Sequence, residues 1–169
     1  MKKSLIYDKN LFLMIKNQPF YTEGLYFSCT RCSVCCRFES GFVFLTENDV
    51  SRLAAECQMA YTEFVDIYCR WVPSLINNTE RLSLIEKSDL DCIFWDSGCK
   101  VYNSRPLQCK AFPFWSSVLD FKDSWERAKI SCPGMDQGKL HTHAEITEIL
   151  NIQAEQKILT RKAQILRRS

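Results

Sequence analysis

Glycine and proline are both sparse in this chain of 169 residues, five of each, and histidine occurs twice. With so few glycines there is no GxGxxG and no GxxxxGK, so neither phosphate-cradling motif is present. No stretch rich in Pro, Gly or Ser separates one part of the chain from another, and no internal repeat is visible. Neither sign of charge prevails: 22 Lys and Arg stand against 20 Asp and Glu, a net +2. That balance gives no argument for nucleic acid. Long apolar runs are missing as well. Leu5-Ile6-Tyr7 is cut by Asp8 and Lys9, and Leu11 to Ile15 ends at Lys16. A secretory core needs about 7–15 apolar residues, and a membrane span about 18. The chain is therefore expected to be cytoplasmic, without a membrane partner. No HExxH and no marked pair of carboxylates points to hydrolytic chemistry.

What is present is ordinary except in one respect. The composition is 46% hydrophobic and 25% charged, as in globular domains, and the length fits a single domain over 1–169. Ten residues are cysteine, and four of them fall between Cys29 and Cys36. Disulfides are rare in reducing compartments, so clustered cysteines there point to metal or redox chemistry.

The pattern along the chain predicts an α+β fold, mostly helical, with a few short strands around cysteine-bearing loops. Residues 1–28 read as a lead-in anchored by Phe12, Phe20, Tyr21, Tyr26 and Phe27. Residues 29–36 show no apolar face and read as loop. Phe42 to Leu45 suggests a strand. Thr46 with Asp49 makes a capping box for a helix whose Val50, Leu53, Ala54 and Cys57 share a face. Tyr61 to Trp71 repeats the helical spacing through Phe64, Ile67, Tyr68 and Trp71, limited by Pro73. Leu82 and Leu84 alternate as in a strand. Cys92–Trp95 and Cys99–Tyr102 flank Asp96-Ser97-Gly98 as in a hairpin. Arg105-Pro106 opens a short helix ended by Pro113, and the stretch to Gly134 is aromatic and irregular. Thr142 with Glu145 caps a last helix over about 142–168, its buried side drawn from Ile149, Ile152, Leu159, Ala163 and Leu166.

Eight cysteines fall in loops, turns or hairpin arms: Cys29, Cys32, Cys35, Cys36, Cys92, Cys99, Cys109 and Cys132. Cys57 and Cys69 fall in predicted helices, where cysteine packs as a small hydrophobe. The C-x2-C spacing turns the backbone so that both sulfurs reach one metal at about 2.3 Å. Here it occurs twice, and a fourth thiol follows at once. Adjacent Cys35 and Cys36 are hard to place on one ion, so one of them is a candidate for a second site or a bridge. Two kinds of centre suit eight thiolates: a pair of four-thiolate zinc sites, or an iron–sulfur cluster, since C-x2-C-x2-C begins the bacterial ferredoxin pattern. A structural zinc contributes about 10–16 kcal/mol of apparent binding energy in small domains. The irregular stretch 84–140 would gain its order from such a contribution.

The order of motifs is specific. After the cluster come Asp91-Cys92-Ile93-Phe94 and Gly98-Cys99-Lys100-Val101-Tyr102. Then follow Arg105-Pro106-x2-Cys109-Lys110-x-Phe112-Pro113 and Cys132-Pro133-Gly134. Over about 27–135 this resembles the YkgJ-like cysteine-cluster family, the zinc- or iron-chelating domain of the CxxCxxCC type. Lys110 departs from the family's usual Arg and leaves the cysteines untouched. The resemblance implies that all eight cysteines are metal ligands and that the cofactor is zinc or iron. It names no substrate. One branch is similar to flagellin lysine-N-methylases, which makes a protein lysine methylase the enzymatic alternative. Against it, the chain has neither a glycine-rich loop for S-adenosylmethionine nor the spacing C-x3-C-x2-C. A zinc-clamped adaptor for a protein partner is the third reading, with the basic final helix as its surface. Beside the cysteines, Arg105 would hydrogen-bond sulfur and offset its charge, or it is a surface arginine before a helix-starting proline. His141 and His143 form an H-x-H pair, lesser ligand candidates at a helix cap. Lys157, Arg161, Lys162, Arg167 and Arg168 make the last stretch basic. Without aromatic residues for stacking, that stretch suits a helix C-terminus better than RNA.

Overall fold

The structure is a computed structural model that describes residues 18–38 and 40–163. It is an α+β fold in which helices outweigh short strands. In chain order the elements are β1 (Leu25–Phe27), a 3-10 turn (Val34–Cys36), α1 (Glu47–Glu56), α2 (Tyr61–Tyr68), β2 (Cys69–Pro73) and β3 (Thr79–Leu84). They continue with α3 (Leu107–Ala111), α4 (Ser116–Leu119), α5 (Lys122–Ser131), β4 (Met135–His141), α6 (His143–Ala154) and β5 (Thr160–Lys162). Two antiparallel sheets form, β1–β4 and β2–β3–β5. Among the described residues no helix is long and apolar enough to cross a membrane.

Each sheet carries its own core. The first is built from Leu45, Val50, Leu53 and Ala54, with Phe64, Leu82, Leu84, Phe94 and Val101. Val50, Leu53 and Ala54 lie three and four apart, so one face of α1 is buried, as the spacing predicts. The Thr46–Asp49 capping box forms as predicted. Asp49 does more than cap. Its buried carboxylate accepts from the Thr46 hydroxyl (2.8 Å), the Arg52 guanidinium (2.7 Å) and the Leu107 backbone N–H (3.2 Å). One side chain thus ties the start of α1 to the start of α3.

The second core joins Phe114, Leu119, Trp125, Cys132, Met135 and Ile146. Of the lead-in aromatics, Phe20, Tyr21 and Phe27 pack against it, while Tyr26 is half exposed. Phe12 lies outside the described residues.

Several expectations change. The second helix stops at Tyr68, and Cys69 to Pro73 pairs with Leu84 to Glu80 instead. Ile67 is left exposed. The ladder and the Arg70–Glu86 ion pair (2.9 Å) outweigh a helical pattern, and aromatic and β-branched residues such as Trp71 and Val72 suit a strand. Phe42 to Leu45 makes a single bridge, Phe44 to Ser83, rather than a strand. The 92–102 hairpin reduces to one bridge, Trp95 to Cys99. The stretch expected to be irregular contains α4 and α5. The latter buries Trp125, whose indole N–H donates to Asp136 at 3.0 Å. One tryptophan rather than an apolar stripe holds α5, which is why periodicity misses it.

The last helix also ends early, at Ala154. Ile146 is its buried residue, Ile149 packs beside it and Ile152 is exposed. Leu159 instead bonds its N–H to Leu45 and its carbonyl to Leu82, at 2.9 Å each, and β5 then joins β3. Arg161 leaves the expected basic helix face. It pairs with Glu80 at 2.6 Å and lies over the Trp71 ring. Leu166, Arg167 and Arg168 lie outside the described residues.

Replacing Thr46 by Ala should lower stability by about 1 kcal/mol in urea unfolding; an unchanged midpoint would contradict the capping role. At α6 the Thr142 backbone N–H, helped by Lys139, holds Glu145 down to about 2. A folded value below the unfolded one, about 4.3, contributes stability that is full above the unfolded value and lost as pH falls toward 2. Glu145→Gln keeps the cap and removes the titration. Its melting temperature should therefore fall less steeply from pH 5 to 2 than that of the parent. Parallel curves would refute the assignment.

Candidate metal centre

The cysteine loop begins where β1 ends, and its first residue is pinned to the second core. Ser28 N–H donates to the Gly134 carbonyl (3.2 Å), and the Ser28 hydroxyl accepts from Lys139 N–H (3.0 Å). Gly134 has to be glycine here, because a Cβ would collide with the Ser28 carbonyl. The loop thus starts beside Cys132-Pro133-Gly134. Arg31 and Ser33 then take positive φ, 57° and 65°, and a 3-10 turn closes with Cys36 N–H on the Ser33 carbonyl at 2.9 Å. Such tight turns let closely spaced thiols point the same way. The Arg31 N–H also meets the Cys29 sulfur at 3.4 Å, an amide placed to stabilise a thiolate.

The far end of the loop is fastened to the first core. The Cys36 carbonyl accepts from Cys92 N–H at 2.7 Å. Arg37 Nε lies 3.2 Å from a carboxylate oxygen of Asp91, which is buried, and its guanidinium covers the Trp95 ring at 3.7 Å. The sequence pattern passed over Arg37 and marked Asp91 only as part of the Asp91-Cys92-Ile93-Phe94 motif, without a role. The signal available was a charged residue directly after Cys36 and another directly before Cys92.

Between these anchors the thiols gather. A cavity of about 270 Å³ is lined by Cys29, Cys35, Cys36, Cys92, Cys99 and Cys109. A neighbouring cavity of about 210 Å³, walled by Phe42, Phe112 and Trp115, shares Cys35, Cys36, Cys92 and Cys109. Cys32 and Cys132 line neither. Burial raises the Cys132 thiol, and the nearby Cys32 and Cys35 add to that. Cys29, Cys32 and Cys35 are exposed, Cys36, Cys92, Cys99 and Cys109 are half-buried, and Cys132 is buried. The Cys35 and Cys36 sulfurs stand 3.8 Å apart. Two sulfurs bound tetrahedrally to one zinc at about 2.3 Å would be separated by about 3.8 Å. Adjacency in sequence is therefore no bar to one shared ion. Among the described residues, no three His, Cys, Asp or Glu side chains are already arranged to hold a metal ion. Six of the eight thiols line one cavity, and Cys32 and Cys132 lie outside it, so a centre using all eight would require the exposed loop to close.

The electrostatics agree with thiols crowded together. A hydrogen bond from Cys36 lowers the Cys35 thiol to about 7, helped by the Arg105 charge, while the same bond raises Cys36. Burial pushes Cys92, Cys99, Cys109 and Cys132 up, and neighbouring thiols add to the effect. Such a donor set, sulfur-rich and partly desolvated, fits zinc or iron and would not suit a hard ion such as calcium.

Cys57 and Cys69 lie elsewhere. Cys57 follows the end of α1 and Cys69 opens β2, rather than both lying inside helices. Both pack against the first core, where burial pushes Cys69 up to about 12. The histidines are also engaged away from the cavities. A ring nitrogen of His141 lies 3.2 Å from the Phe27 carbonyl, and His143 stacks on Tyr21. Lys110 is exposed. Arg105 does line the thiol cavity, its Nε–H donating to the Tyr102 carbonyl at 2.8 Å. Arg31 lines it too, a residue that sequence reasoning passed over although it sits between two cysteines.

Removing Asp91 leaves Arg37 without its carboxylate. Asp91→Ala should cost about 2 kcal/mol, less than a fully buried pair because Arg37 is partly exposed. In metal-free protein, Cys36 and Cys92 should then be alkylated faster. Unchanged stability and unchanged labelling would show that the pair does not hold the loop.

Comparison with known proteins bears on this arrangement. The sequence pattern of the CxxCxxCC family, described as "Putative zinc- or iron-chelating domain", matches residues 28–156. The chain is also similar to an uncharacterized protein, MJ0661, of Methanocaldococcus jannaschii, with 26% identity over 105 residues. That match covers 60% of this chain and 52% of the relative, so it spans about half of that relative's length. No solved structure matches.

Proposed function

Because the chain belongs to the CxxCxxCC family of zinc- or iron-chelating domains, we propose that it binds zinc or iron through Cys29, Cys32, Cys35, Cys36, Cys92, Cys99, Cys109 and Cys132. The observation that carries this reading is the shared wall. Cys35, Cys36, Cys92 and Cys109, drawn from the loop, the 91–99 segment and α3, all border the same two cavities. A lone cysteine can pack as a small hydrophobe, but four thiols drawn from three separate segments onto the same cavities support ligation. A bound ion supplies the cross-link that irregular segments otherwise lack. In this reading the metal-binding part spans about 27–135 of a single cytoplasmic domain over 1–169, and the rest of the chain supports it. Cys132 and Cys32 would form the second half of the donor set once the loop closes.

Zinc and an iron–sulfur cluster are separated by elemental analysis together with colour. A brown protein absorbing near about 400 nm indicates a cluster, and a colourless one holding zinc indicates thiolate zinc sites. A series of Cys→Ser variants tests the ligands. Cys92→Ser and Cys109→Ser should lose at least half of the bound metal, whereas Cys57→Ser and Cys69→Ser should keep it. The reverse pattern would overturn the assignment. Chelation should also lower the melting temperature, because the ion binds the folded chain and not the unfolded one.

A further inference from the structure

Among the described residues, two arginines at the thiol cavity have no carboxylate partner. Arg31 and Arg105 both line the cavity of about 270 Å³, and no Asp or Glu lines it. Among the described residues neither guanidinium stands in an ion pair, whereas Arg37, Arg52, Arg70 and Arg161 each have a carboxylate. Both are set against one aromatic ring instead. The guanidinium carbon of Arg31 lies 4.2 Å from the centroid of Tyr102, and that of Arg105 lies 3.6 Å from it. Arg105 is further fixed by its bond to the Tyr102 carbonyl. Two permanent positive charges are thereby held within about 8 Å of each other over a partly enclosed space. With no carboxylate lining the cavity, their combined charge favours an anion beside them.

We propose that this cavity binds a small molecule through a carboxylate or phosphate group held between Arg31 and Arg105. The planar forks of two arginines match either oxyanion through charge-assisted bonds of about 2.8 Å. Ser33 and Ser97 line the same cavity and offer hydroxyl donors beside them. The volume lies below the roughly 300–1,000 Å³ of drug-sized pockets, so the ligand is small. Cys35, Cys36, Cys92 and Cys109 line the same cavity, so the bound group would lie next to the thiols. The site goes beyond metal binding and stands on the arginine pair alone. The competing role for these arginines is to balance the charge of the thiolates.

The test titrates protein loaded with zinc, its metal content checked by elemental analysis, with inorganic phosphate and separately with succinate. The arginine Nε–H signals are followed by NMR. Arg31 and Arg105 should shift saturably with at least one of the two anions. Arg31→Gln, an exposed position, should weaken that binding at least tenfold while retaining zinc. No saturable shift with either anion, or undiminished binding in Arg31→Gln, would overturn the proposal. Loss of zinc in Arg31→Gln would overturn it as well, by showing that the arginine serves the metal. Wild-type protein that takes up no metal contradicts the metal reading alone, and the titration on metal-free protein then decides the anion site by the same outcomes.

Discussion

The position of the cysteine loop depends on a short stretch of contacts where Arg37 meets Asp91 and the Cys36 carbonyl meets Cys92 N–H. Residues 29–36 contain no large apolar side chain to bury except Val34, so the hydrophobic effect cannot place them. A loop of this kind is located by what grips its ends. At one end the grip is backbone pairing of Ser28 with Gly134, which works because Gly134 has no Cβ. At the other it is an ion pair whose carboxylate is buried, the cation spread over the Trp95 ring. A buried acid without its partner is costly, so the pair acts on the geometry of the loop more strongly than its surface counterparts, such as Lys100–Asp96, could act on theirs.

The two grips attach to different cores, and this arrangement places the thiols. Cys92 and Cys99 lean on the core under β3, while Cys132 belongs to the core under β4. The loop runs from the second core to the first, so its four cysteines pass along the space between them. Neither core is large. An ion bound in that space would join segments that share little apolar surface, which is the usual service of a thiolate site in a small domain.

How much of this was legible in the sequence depended on how local the signal was. Both capping boxes, Thr46–Asp49 and Thr142–Glu145, were readable because the bonds that make them span three residues. The buried face of α1 and the strand through Leu82 and Leu84 were readable from spacing. The ends of α2 and α6 were not. In each case the residues that leave the helix, Cys69 to Pro73 and Thr160 to Lys162, do so to pair with β3, and a pairing partner is invisible to helical periodicity. Helix α5 was missed for the opposite reason: it is held by Trp125 and its bond to Asp136, not by a stripe.

The sequence by itself determined the chemistry available to this protein. Ten thiols, scarce glycine and two histidines exclude phosphate loops and leave soft-metal binding as the outstanding capacity, since donor type is a property of residues and not of their arrangement. The repeated C-x2-C spacing was also readable, because two intervening residues limit how far one sulfur can stand from the next. Tertiary structure alone decided which distant cysteines share a wall, that Arg31 and Arg105 face the same ring, and that Arg37 finds Asp91. Those pairings join residues up to dozens of positions apart. They are settled by how two cores close on an irregular loop, an outcome of packing that no local pattern encodes.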